Sequence, residues 1–311
     1  MKTKLDTGVA PHIRTKTSTK LVMLDVIIAL LPAIIASIVF SPFRSALLIF
    51  TCVISAVLAE AFWQMLSKKD VTVFDLSAVV TGLLLSLLLP ETLPLWMAAI
   101  GAVFAILVVK QFFGGLGNNF INPALAGYAF LLFSWFEPVT TVGALSEPFH
   151  NAIISIAILA GGLYLIARKV INWRTPIIFI VTVLAGAVII TLSETILRSQ
   201  AELINFEILF SAIPLTTISH LLLSNLIICA FFMATDPVST PLTYKGQVYF
   251  ALGAGILTII IDFWGVMPSG AVFAVLIMNV ITPLIDKISH TKRYARKNIY
   301  HPQAERKVDT K

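Results

Sequence analysis

The residues best suited to chemistry lie in KQFFGGLGNNFINPALAGY, residues 110–128, where a long apolar run meets a lysine, closely spaced glycines, three asparagines and a proline before turning apolar again. Lipid offers no partners for free backbone groups, so a non-helical piece at the end of a membrane span must be buried in protein or line a cavity. Amide side chains there have two uses. Asn119 and Asn122 either satisfy the free carbonyls of a broken helix or hold the polar edge of a ligand. A second set of candidates is the ionisable residues in or at the edges of apolar runs: Asp25, Glu60, Lys110, His220, Asp236, Asp262 and Asp286. Each costs a few kcal/mol at the bilayer centre unless it is paired or wet. Asp25, about one turn into the first run, and Glu60, well inside the second, are the first choices for a cation path. The competing reading for Glu60 is an internal ion pair that only fixes packing. Lys110 and Asp286 are expected to snorkel to the membrane surface, and Asp262 to face the outer water.

Other chemistries are excluded by what the chain lacks. His220 has no second histidine or cysteine at ligand spacing, so it reads as a structural histidine and not a metal ligand. Cys52 and Cys229 lie inside apolar runs, without the pairing or spacing of a disulfide framework or a zinc site. No serine, histidine and aspartate arrangement or phosphate-binding loop is present. GGLGNN at 114–119 lacks the third glycine of a dinucleotide fingerprint and follows an apolar run of helical length, not a strand.

The elements that must position these residues are membrane helices. With 58% hydrophobic and 12% charged residues, the chain has more apolar surface than a soluble core can hide. Apolar segments fall near 21–40, 46–66, 76–89, 93–112, 124–136, 152–168, 176–193, 218–233, 248–266 and 270–286, which predicts about ten spans. The segments at 76–89, 124–136 and 218–233 are shorter than the ~20 residues a helix needs to cross the hydrocarbon, so they must be buried or broken. The net charge of +6 does not point to nucleic acid, because the basic residues sit between apolar runs. With the N-terminus inside, 20 of the 22 Lys and Arg residues fall on cytoplasmic segments and only Arg44 and Arg198 do not. This predicts a multi-pass protein of the plasma membrane with both termini cytoplasmic. No cleavage pattern follows the basic first segment, which predicts that it is retained.

The expected organisation is a tail at 1–20, a membrane domain at 21–286 and a basic tail at 287–311 that reads as an anchor to anionic lipid. Divided after the fifth span, each half holds five spans, and an odd number inverts the second half relative to the first. The third span of each half is short and runs into proline: 76–89 into Pro90, and 218–233 into MATDPVSTP with Pro237 and Pro241. Paired interrupted segments of this kind point to a binding site near the midplane.

APHIRTKTSTKLVMLDVIIALLP at 10–32, the stretch from VVTGLLLSLLLP through GLGNNFINPALAGYAFLLFS at 79–134, and FFMATDPVSTPLTYKG with GAVFAVLIMNVITPLID within 231–286 resemble the RnfD/NqrB family, membrane subunits of the Rnf complex and of the sodium-pumping NADH:quinone reductase. The resemblance implies an all-α membrane protein of ten helices in two inverted five-helix repeats, similar to urea transporters. It also implies a flavoprotein. By resemblance, Asn119, Asn122 and Asp236 are the residues that hold a non-covalent flavin, riboflavin or FMN. The family carries a further FMN on a threonine of an SGAT-like motif in an outer loop, and here the chain departs from it. The nearest remnant, VGALSEP at 142–148, has Leu145 at the threonine position, and leucine cannot form a phosphoester. Covalent FMN is therefore expected to be absent.

The function implied is a membrane subunit of an Rnf- or Nqr-like electron transport complex, a redox-carrying part of a translocase coupled to Na+ or H+. Other membrane and peripheral subunits would be its partners. Two alternatives stand beside it: a component of flavin-based extracellular electron transfer without ion pumping, and a small-solute channel or carrier that shares only the fold.

Overall fold

A computed structural model describes residues 18–68, 72–140, 148–198, 225–265, 267 and 269–289. The described residues form helices and loops. Six helices are long and apolar enough to cross a membrane: α1 (Thr19–Phe40), α2 (Pro42–Leu66), α7 (Pro148–Ala167), α8 (Arg174–Arg198), α10 (Tyr244–Trp264) and α11 (Gly270–Ser289). Three shorter apolar helices stand among them: α3 (Ser77–Leu88), α4 (Leu95–Phe104), which continues as a π-helical turn over Ala105–Gln111, and α5 (Pro123–Ser134). The short α6 (Phe136–Thr140) follows α5, and α9 (Leu226–Ile228) leads into a second π-helical turn, Cys229–Met233. Against the ten spans expected, the described residues hold six helices of spanning length, with three shorter apolar helices and the piece at 226–233 beside them.

The short elements avoid lipid by burial. A helix of 12 residues such as α3 rises only about 18 Å, too little to cross roughly 30 Å of hydrocarbon. All of α3 except Val79 and Leu87 is buried, Pro123–Ala129 of α5 are buried, and so are all five residues of the second π turn. The long helices instead turn residues such as Ile35, Val39, Phe50, Leu58, Val181 and Ile189 outward, as helices facing lipid must.

Packing joins the two parts of the sequence. α1 lies against α7, and α5 against α11, while α2 packs on α3 and α4, and α10 on α8 and α11. The α1–α7 crossing is close because Gly161 has no side chain: a Cβ there would come within 1.9 Å of the Ala29 carbonyl oxygen. Small residues at helix crossings are what allow such approach within a bilayer. Cys52 and Cys229 are buried free thiols, consistent with packing roles.

Candidate functional site: a cavity beside a buried ion pair

The glycine- and asparagine-rich stretch is a turn between α4 and α5. The π turn leaves the α-helical path and closes with the Phe112 N–H on the Leu107 carbonyl (3.0 Å), the Gly115 N–H on Lys110 (3.0 Å) and the Gly114 N–H on Gln111 (3.0 Å). Gly114, Gly115 and Gly117 have φ of +111°, +92° and +94°, a conformation open to glycine and costly for other residues. Asn122 then begins α5. Its Oδ1 accepts from the N–H groups of Ala124 (3.0 Å) and Leu125 (3.3 Å), with Pro123 at the first helical position, where its missing donor is no loss.

The Asn122 amide nitrogen donates to Asp236 Oδ2 at 3.3 Å, across 114 residues of sequence. Asp236 sits in the loop after the second π turn, where Oδ1 accepts the Val238 N–H (3.1 Å) and Oδ2 accepts the Ser239 hydroxyl (3.1 Å). Asn-Pro and Asp-Pro are therefore used alike: each side chain accepts the N–H two residues on, and the two side chains meet. Burial pushes the Asp236 carboxyl above the usual carboxylate range against the opposing effect of these donors. Asn279 of α11 completes the junction. With its amide oriented to satisfy both ends, it accepts from the Asn122 N–H (3.1 Å) and donates to the Ser239 carbonyl (3.1 Å).

Beside this junction is a cavity of about 100 Å3. Its polar lining includes Ser77, Thr81, Lys110, Asn119, Asn122 and Asp236, and Leu84, Phe231 and Phe232 are among its apolar walls. The lining comes from the first turns of α1, from α3, from the π turn after α4, from the end of α7 and from 231–238. The two short proline-terminated segments, α3 and 226–233, do line it together.

Lys110 is the unexpected residue. It does not snorkel: it is 1% exposed, and its Nζ lies 2.7 Å from Glu60 Oε1, with Glu60 also 1% exposed. The same Glu60 oxygen accepts the Gln111 amide at 2.7 Å, and Lys110 donates to the Ser77 hydroxyl at 2.5 Å. Ser77 passes the link on, donating from its N–H and its hydroxyl to Asp75 Oδ1. Among the described residues, Glu60 Oε2 and, one turn further along α2, Trp63 Nε1 are buried without a hydrogen-bond partner.

The family model described as NQR2, RnfD, RnfE matches residues 6–152 and 140–295. The chain belongs to that family. It is 40% identical to the Acetobacterium woodii protein named as the D subunit of a Na(+)-translocating ferredoxin:NAD(+) oxidoreductase complex, over 92% of this chain and 93% of that one. It is 34% identical to the Clostridium ljungdahlii protein named as the D subunit of a proton-translocating ferredoxin:NAD(+) oxidoreductase complex, over 92% and 94%. A Marinobacter nauticus protein, named as the D subunit of an ion-translocating oxidoreductase complex, is 32% identical over 92% and 94%. These alignments run over 321, 328 and 345 positions, more than the 311 residues of the chain, so the relatives carry insertions that this NQR2, RnfD, RnfE family member lacks.

Of the candidates from the sequence, the structure brings Asn119, Asn122 and Asp236 to one cavity. Asn119 is buried, donates to the Ile121 carbonyl (3.1 Å) and, among the described residues, has no partner for its side-chain oxygen. Glu60 is one residue away from the cavity, through Lys110. Asp25 stands apart: it pairs with Arg168 (3.2 Å) and accepts the Tyr164 hydroxyl (3.2 Å), which ties α1 to the end of α7. Asp286, half-buried near the end of α11, accepts the Leu242 N–H (3.2 Å), and Asp262 accepts the Gly270 N–H at the start of α11 (2.7 Å). Leu145 and His220 lie outside the described residues. Sequence reading missed Ser77, Gln111 and Asn279. Asn279 carried a signal, an amide in the middle of an apolar run, whereas Ser77 and Gln111 differ in no way from ordinary residues at helix ends.

Proposed function

We propose that this chain is the D-type membrane subunit of an Rnf-like, ion-translocating electron transport complex. It would lie in a bacterial plasma membrane with both termini cytoplasmic, work with other membrane and peripheral subunits, and bind a non-covalent flavin at the cavity beside Asn122 and Asp236. The observation that carries this is the 40% identity, over nearly the whole of both chains, to a protein named as the D subunit of such a complex. The chemistry of the cavity supports a flavin: apolar walls, the free side-chain oxygen of Asn119, the second amide hydrogen of Asn122 and a nearby ammonium at Lys110. Its volume of about 100 Å3 is below the roughly 300–1,000 Å3 of small-molecule pockets, so the cavity as it stands has room for only part of a flavin ring, and binding would require its walls to open. The flavin would supply the electron chemistry, and the chain would orient it and set its surroundings. Covalent FMN is not part of this reading, since the two stretches matched by the family model meet at 140–152, where Leu145 takes the place of the threonine.

The inverted arrangement of two five-helix repeats belongs to the same proposal. It is supported by the paired short segments at the cavity and by the orientation of the basic residues. Purification of the native protein in mild detergent tests the whole. Companion subunits and a flavin spectrum are expected, with no flavin fluorescence left on the chain in a denaturing gel and with reporters on both tails reading cytoplasmic. Asn119→Leu with Asn122→Leu should lower flavin occupancy several-fold. A colourless protein without partners that conducts a solute in liposomes would overturn the electron-transfer reading.

A further inference from the structure

α8 and α10 begin side by side, and each carries an exposed basic residue in its first turn. The Arg174 guanidinium carbon lies 5.2 Å from the centre of the Tyr244 ring and 5.8 Å from that of Trp173, within reach of a cation–π contact. The Arg174 backbone N–H donates to Asn172 Oδ1 (3.3 Å) and Asn172 Nδ2 donates to Gln247 Oε1 (2.7 Å), so the turn before α8 is tied to the first turn of α10. Attraction to the rings holds the guanidinium in place and leaves its N–H donors open. Among the described residues none of those side-chain donors meets an acceptor, and Lys245 pairs with no acid. Asp286, the acid on α11 at the same end, is engaged by the Leu242 N–H.

Each cation heads an exposed stripe at helical spacing: Arg174, Ile177 and Val181 on α8, and Lys245, Tyr249 and Leu252 on α10. The two helices run parallel and meet along small residues, with Gly186 against Ile259 and Gly255 against Thr182. Counted round from that seam at about 100° per residue, both stripes fall on the same side of the helix pair. The arrangement is therefore two free cations at one end of an apolar strip, with Trp173 and Tyr244 at the level where such rings sit at a membrane surface. We infer that the start of α8 and α10 is a binding site for an anionic phospholipid, its phosphate on Arg174 and Lys245 and its acyl chains along Ile177, Val181 and Leu252.

Charge and shape select this occupant together. A guanidinium with open donors matches the paired oxygens of a phosphate. A zwitterionic lipid brings its own ammonium to the same two cations, so it gains less from them. Free phosphate uses the cations and leaves the apolar stripes uncovered. An acidic protein segment does the same. Arg174 and Lys245 lie outside the basic tail at 287–311, so the site is separate from an anchor there. It is also independent of the cofactor reading of the cavity, since neither residue lines it.

The full-length protein, stripped of lipid in a neutral detergent, can be titrated with dioleoyl phosphatidylglycerol or dioleoyl phosphatidylcholine and the bound lipid counted by native mass spectrometry. The wild type should hold a phosphatidylglycerol in preference to the matched phosphatidylcholine. Arg174→Gln with Lys245→Gln should weaken that binding about tenfold or more, whereas Lys287→Gln, at the same end of the bundle but outside the stripes, should keep most of it. Equal binding of the two lipids by the wild type overturns the site, and that comparison needs no variant to fold. A preference undiminished in the double variant overturns it too, because the lipid is then held by other charges, the tail among them. Thermal unfolding separates the lipid from its headgroup chemistry: phosphatidylglycerol should raise the midpoint and inorganic phosphate should not. An equal rise with both overturns the role of the acyl chains. If the double variant binds phosphatidylglycerol like the wild type but loses a companion subunit on purification from membranes, the surface belongs to a protein and the lipid site is overturned.

Discussion

Lys110 and Glu60 show how far a single residue can be read alone. A lysine near the end of an apolar run has an ordinary fate, a stem along the helix and a head in the interface. The structure departs from it because the turn at 105–111 is π-helical and the partner carboxylate lies 50 positions earlier, on a different helix. Nothing local in the sequence encodes that pairing. Glu60, by contrast, was legible as a buried acid that must be compensated, since it stands between alanines in the middle of a span. Removing one partner of such a pair leaves an uncompensated buried charge, at a cost of about 3–5 kcal/mol, whereas replacing both with apolar residues is often neutral. Lys110→Met is therefore expected to lower thermal stability in detergent sharply. Lys110→Met combined with Glu60→Met should recover most of the loss. Equal losses in the single and the double variant would show that the pair is not what holds α2 against α4.

At the scale of elements, the long helices were legible almost to their ends because their signal is simple: about twenty apolar residues bounded by charge or proline. Expected spans at 21–40 and 270–286 correspond to Thr19–Phe40 and Gly270–Ser289. The π turns were not legible, since one residue added to a turn leaves no mark on composition. Neither was the α1–α7 crossing, which depends on Gly161, one of sixteen glycines, facing the Ala29 carbonyl. Two glycines can be compared directly. Gly117→Ala meets nothing within 4 Å and carries only the strain of a φ of +94°, about 1–2 kcal/mol. Gly161→Ala would place a methyl 1.9 Å from a backbone oxygen, so two helices must move apart, and the contacts along them weaken together, Asp25 with Arg168 included. Thermal midpoints should rank wild type, then Gly117→Ala, then Gly161→Ala. The reverse order would mean that the crossing adapts at little cost and that the loop is the more constrained element.

The molecule as a whole is fastened where its two sequence halves meet, and the sequence showed the pieces but not the joint. Asn122 and Asp236 each stood out beside a proline, yet only the fold brings them together and adds Asn279 between the Asn122 N–H and the Ser239 carbonyl. Thr282 also donates to that carbonyl (3.1 Å), so one loop, the start of α5 and the middle of α11 share a single network. Asn122→Ala removes a helix cap, worth about 0.5–2 kcal/mol, and the bond to Asp236. Asn279→Ala strands the Asn122 N–H and half of what satisfies Ser239. If the network is one unit, whichever residue is lost first takes part of the other's contribution with it. The double variant should then lose less stability than the two single losses combined, by about 0.5–3 kcal/mol. Thermal unfolding of the four proteins gives the coupling directly. Additivity within about 0.5 kcal/mol would mean two independent contacts, and the cavity between the halves would then be walled by parts free to shift separately. Strong coupling would mean that a ligand held by Asn119 and Asn122 on one side and by the Asp236 loop on the other binds to walls already fixed in place.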